Sequence, residues 1–140
     1  MQNVAMGNLD QMGRDCEGRL ALHYAAVEGR AGDVVRLLAE GEDVAASDNA
    51  QLTPLHMACQ QGHVEVARVL VEAGAPIDAR DSYGNTPLWK AVFAFQGGEP
   101  TLIRLLLDAG ADPDSKNGTD KSPRDMARIF DRPGIRDAIP

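Results

Sequence analysis

His23, His56 and His63, with Cys16 and Cys59, are the side chains of this 140-residue chain best suited to proton transfer, nucleophilic attack or metal ligation. Their arrangement supports none of these. Gly62 stands between His56 and His63 and ends any helix that carries His56, so the two rings cannot share the helical face a metal pair needs. The cysteines lie far apart, and Cys59 belongs to an apolar helix face, which suits small buried residues better than a disulfide or a zinc site. No Gly-x-Ser-x-Gly elbow or His-Glu-x-x-His pair is present. Gly118-Thr119-Asp120-Lys121-Ser122 ends like a phosphate loop, but Asp120 replaces the glycine before Lys121 and would repel phosphate. Asp112-Pro113-Asp114 begins like a calcium loop, yet Lys116 takes the third ligand position. The expectation is no catalytic residue, no metal and no cofactor.

The elements that must position any site are repeated. Leu20-Ala21-Leu22-His23, Thr53-Pro54-Leu55-His56 and Thr86-Pro87-Leu88-Trp89 recur at a step of 33, and so do Asp15, Asp48 and Asp81. In the unit 48–80, Thr53 is a helix cap and Pro54 the first helical residue, where a missing N–H costs nothing. Leu55, Ala58 and Cys59 predict one buried face, Gly62 the end of the helix, and Val66, Val69 and Leu70 the stripe of a second helix closed by Gly74. Such short helices are unstable alone and must bury their stripes against neighbouring units.

This pattern resembles the ankyrin repeat family, whose period of 33 and Thr-Pro-Leu-His-x-Ala element it carries. The resemblance covers nearly the whole chain. It implies an all-α solenoid of helix-turn-helix units with hairpin-like fingers, and a concave surface of fingers and inner helices that binds other proteins. The reading divides the chain into a poorly ordered or loosely docked lead-in (1–14), repeats at 15–47, 48–80 and 81–116, and a truncated C-terminal cap (117–140). Two irregularities are expected. Asp33-Val34-Val35-Arg36 matches Glu65-Val66-Ala67-Arg68 at a step of 32, which predicts a slipped second helix in the first unit. From Thr86 to Ser122 the step is 36, which predicts three added residues in the turn around 95–100. Trp89 takes the motif histidine's place; whether Trp89, Phe93 and Phe95 fill the stack or face a partner is open on sequence alone.

Exposed residues of changing type on a constant frame are the candidate contacts: Glu17, Arg19, Asn49, Gln51, Ser82, Tyr83 and Asn85 on the fingers, and Tyr24, Glu28, Gln60, Gln61 and Lys90 on the inner helices. The net charge of −7 disfavours nucleic acid and anionic membranes and predicts a basic protein partner. No secretory leader or membrane span is read in the sequence, so the expected compartment is the cytoplasm and the expected free state a monomer. The run 84–93 and the elongated turn resemble small bacterial ankyrin proteins, some of which neutralise toxins encoded beside them. The expectation is therefore a non-enzymatic binding module of the immunity or inhibitor kind, the alternative a structural protein that self-associates or braces an assembly.

Overall fold

The computed structural model describes residues 13–140, so nearly all of the expected lead-in lies outside the described residues. Eight helices follow in order among them: α1 (Ala21–Val27), α2 (Ala31–Ala39), α3 (Pro54–Gln61), α4 (Val64–Glu72), α5 (Pro87–Ala94), α6 (Thr101–Asp108), α7 (Pro123–Phe130) and α8 (Ile135–Ala138). They form two rows. The inner helices α1, α3, α5 and α7 pack on one another in sequence, the outer helices α2, α4 and α6 do likewise, and each outer helix packs on its inner partner. This is an all-helical solenoid of helix-turn-helix units among the described residues, as the resemblance implies.

The core explains the layers. Leu22, Leu55 and Leu88 are fully buried at equivalent places on α1, α3 and α5; on the outer row Val34, Leu70 and Leu106 are fully buried, one on each helix. Helix α3 departs from the expected single face: Pro54 through Cys59 are all buried, because α1, α4 and α5 surround it. Burial raises the pKa of the Cys59 thiol, which keeps it unreactive.

Fingers are built the same way four times. Asp15, Asp48, Asp81 and Asn117 each turn a side-chain oxygen onto two backbone amides, two and four residues ahead, at about 2.9–3.0 Å. The fingers then join edge to edge, Asn49 N donating to Glu17 O (2.9 Å), Ser82 N to Ala50 O (2.9 Å) and Gly118 N to Tyr83 O (2.8 Å). Gly84 permits that approach, since a β-carbon there would crowd the Gly118 amide.

The first expected irregularity is corrected. Helices α2 and α4 start at 31 and 64, and the left-handed glycines Gly29 and Gly62 (both φ 74°) and Gly41 and Gly74 share the step of 33. The first unit is therefore not slipped; Leu37 matches Leu70, and only the local Val-Arg resemblance suggested otherwise. In the third unit the lengthened turn lies at 95–100, where it is expected; it has six residues against two at 62–63, and with α6 one residue shorter than α4 the unit gains three.

The lengthened turn is a clasp. Arg132 donates to the carbonyls of Phe93 and Phe95, its guanidinium lies 4.5 Å from the centre of the Phe130 ring, and Gly134 sits against Gly98. We expect Arg132→Ala to cost about 1–2 kcal/mol, felt in the last unit alone. Amide exchange should then quicken across α7 and α8 and stay unchanged in α3.

Candidate functional site

In units one and two the inner helix is locked to its own finger and to the next one by the histidine at its third helical position. His56 Nδ1 accepts from Thr53 N (3.1 Å), while His56 N donates to Thr53 Oγ1 (3.3 Å). Because Nδ1 accepts, the proton is on Nε2, which donates to Asn85 O in the next finger (2.9 Å). His23 repeats this with Leu20 N (3.0 Å) and Leu52 O (3.1 Å). Burial lowers the pKa of both imidazoles, the carbonyl bonds offsetting this only in part. These histidines are structural. His63 is also engaged, Nε2 meeting Val27 O (3.1 Å) against Gly29.

Units three and four replace the histidine. In α7, Asp125 supplies the acceptor instead: Ser122 N donates to Asp125 Oδ2 (2.9 Å) and Asp125 N to Ser122 Oγ (3.1 Å). The Ser122 backbone amide, then its hydroxyl, hold this carboxyl down to about 2. In α5, Trp89 cannot accept from Thr86 N as the imidazole does, and its buried Nε1 has no hydrogen-bond partner among the described residues. Its ring stacks on Phe93 instead (centroids 5.2 Å, 11° between planes), and Phe93 meets Phe130 edge-on at 5.6 Å.

The twelve predicted contact residues separate into two groups. Glu17, Glu28, Asn49, Gln51, Gln60, Gln61, Ser82 and Tyr83 are exposed. Asn85 is not: it is buried, its Oδ1 accepts from Asn117 Nδ2 (2.7 Å), and its carbonyl belongs to His56. Arg19, Tyr24 and Lys90 are half-buried latches: Arg19 pairs with Asp48 (3.1 Å), Lys90 pairs with Asp81 (3.4 Å), and the Tyr24 hydroxyl donates to Asp15. Burial pushes the Asp15 carboxyl up, but the Tyr24 hydroxyl and the amides of Arg19 and Glu17 outweigh it and hold it low. Gln51 stays in the left-handed region (φ 63°) where Gly18 and Gly84 stand in neighbouring fingers, a conformation that costs a non-glycine residue energy.

Sequence reasoning missed Ile129. The large exposed apolar side chains among the described residues are Val35, Tyr83 (74% exposed), Phe93 (52%) and Ile129 (58%). Three of the four belong to the finger and inner helices of units three and four. Ile129 holds the place of Gln60 and Phe93 in its own unit, so alignment on the helix caps Thr53, Thr86 and Ser122 would have found it. The Trp89 indole divides two adjoining grooves, one shared with Tyr83, Gln51 and Arg80, the other with Gln60, Lys90 and Phe93.

Charge is segregated between the two rows. The finger and inner-helix stretches (14–30, 47–62, 80–95 and 116–132) carry ten Lys and Arg against eight Asp and Glu. The outer-helix stretches between and after them carry four against twelve. The net charge of −7 thus resides on the outer row and its turns, and the finger side is not acidic.

Among the described residues no group of three or more His, Cys, Asp or Glu side chains could hold a metal ion, and no helix is long and apolar enough to cross a membrane.

Comparison with known proteins agrees with the architecture. A family model described as ankyrin repeats, in three copies, matches residues 22–117. Protein phosphatase 1 regulatory subunit 27 of Homo sapiens is 33% identical over a match covering 62% of this chain and 64% of that protein. Serine/threonine-protein kinase 12 of Arabidopsis thaliana is 33% identical over 58% of this chain and 18% of its own. A putative ankyrin repeat protein of Rickettsia bellii is 50% identical over 30% of this chain and 18% of its own. The chain spans less than two thirds of the length of these curated relatives.

Proposed function

The chain belongs to the ankyrin repeat family, and from that membership we propose that it is a non-catalytic module that binds another protein through its fingers and inner helices. The observation that carries this reading is the placement of Tyr83, Phe93 and Ile129: of the four large apolar side chains exposed among the described residues, these three stand on the finger and inner helices of units three and four, and only Val35 lies on the outer row. Exposed aromatic residues beside grooves are the usual anchors of protein interfaces. The regulatory subunit among the relatives supports a binding role by analogy.

The finer reading is an immunity or inhibitor protein that acts in the cytoplasm and neutralises a toxin by covering its working surface. A basic toxin would be drawn by the carboxylates of the outer row, and its docking loop would meet the finger side. The alternative, a self-associating structural protein, predicts a sedimentation coefficient that rises with concentration; the binding-module reading predicts a constant one.

Affinity capture tests the surface. Recovery of the partner on the Tyr83→Ala, Phe93→Ala double variant should fall at least tenfold against the unaltered chain, with the circular dichroism spectrum unchanged. Equal recovery would show that the partner grips elsewhere.

A further inference from the structure

The proposed binding surface has a charge character of its own, and it is opposite to that of the whole chain. In the finger and inner-helix stretches every carboxylate is engaged. Glu17 and Asp48 pair with Arg19, Glu28 with Arg30, Asp81 with Lys90, Asp120 and Asp125 with Lys116, and Asp131 with Arg136, while Asp15 accepts from Tyr24. The cations are not used up in the same way. In units three and four, Arg80, Lys121, Arg128 and Arg132 have no carboxylate within ion-pairing range among the described residues.

Two of these arginines bracket the aromatic row. Arg80 lines the groove shared with Tyr83 and Trp89 and donates to the Lys116 carbonyl (2.7 Å). Arg132 lies at the other end, over Phe130 and on the Phe93 and Phe95 carbonyls. Both are held by backbone carbonyls, which orient the guanidinium without neutralising it. Each fork has five N–H donors, and these bonds leave some of them free to meet a carboxylate.

Resting on the binding-module reading, we propose that the occupant of this surface is an acidic, extended segment of a partner protein. It carries one bulky apolar side chain that sits against Phe93 and Ile129, with Asp or Glu residues reaching Arg80 on one flank and Arg132 on the other. Charge complementarity decides between this occupant and a basic one: a basic segment here would meet spare cations and no spare carboxylate. Steering by the acidic outer row does not change the local match.

A random dodecapeptide library displayed on phage, selected against the immobilised chain, tests the proposal without knowledge of the natural partner. Enriched peptides should carry Asp or Glu beside Phe, Leu or Trp. Trp89 is the single tryptophan, so its fluorescence reports their binding directly. Affinity for the enriched peptides should weaken at least tenfold in Phe93→Ser and about fivefold in Arg80→Gln. It should not change in Val35→Ser, which alters an exposed apolar residue of the outer row. Enrichment of basic peptides that lose affinity in Phe93→Ser would overturn the acidic occupant and leave the binding module standing. Acidic peptides indifferent to both variants, no enrichment at all, or a self-association abolished by Phe93→Ser would overturn the proposal and the surface assignment together.

Discussion

His56→Ala is expected to lower the free energy of unfolding by about 3–4 kcal/mol, out of the roughly 5–15 kcal/mol typical of a domain. The imidazole is fully buried. Its removal strips an acceptor from Thr53 N, breaks the Nε2 bond to Asn85 O and leaves a cavity between the second and third units. Since each unit is held chiefly by its neighbours, the loss falls on the joint that the whole stack needs. His63→Ala should cost about 1 kcal/mol, because a half-buried ring loses one bond to Val27 O. Urea denaturation of both variants checks the order. Equal costs for the two would contradict the latch role given to His56.

Stability should also fall steeply between pH 7.5 and 5.5. Burial lowers the pKa of His23 and His56 in the folded chain, whereas in the unfolded chain they titrate near the ordinary value of about 6.5. The unfolded state therefore binds more protons below that pH, and stability present above it is lost as the pH drops. Each histidine contributes a slope of at most about 1.4 kcal/mol per pH unit, so the pair gives at most about 2.7. Protonation at Nδ1 would also set two N–H groups face to face at Thr53 and at Leu20. Further loss follows below about pH 4, as the lowered carboxyls of Asp15, Asp114 and Asp125 take up protons; Asp114 is held low chiefly by the hydrogen bond from Arg124. A urea midpoint that stays constant from pH 7.5 to 5.5 would contradict the neutral, buried assignment.

Much of this architecture is legible in the chain itself. Thr53, Pro54 and Gly62 announce the start and end of α3 by backbone chemistry that does not depend on the surroundings. His23 and His56, at the same place in their repeats, are found bonded to the backbone of the next finger. The errors arise where identity depends on what lies across the stack. Asn85 reads as a surface amide, but Asn117 of the next finger covers it. Lys90 reads as a free cation, though Asp81, committed to its own turn, still has an oxygen to offer it. The first unit's apparent slip came from matching side chains locally, where the left-handed glycines keep the true register.

Net charge was the most misleading summary. A total of −7 says nothing of where the carboxylates stand, and only the helix assignment shows that the outer row holds the excess. Burial distinguishes two of the aromatic residues. Phe95 is half-buried against Gly134 in the clasp, while Phe93 presents half its surface to solvent beside Trp89.

The most direct trial of a finger-side grip is amide hydrogen exchange of the chain, free and with its captured partner bound. Protection should concentrate in residues 80–95 and 117–130, with the outer helices α2 and α4 unchanged. Protection confined to those outer helices, with the fingers exchanging as in the free chain, would contradict it.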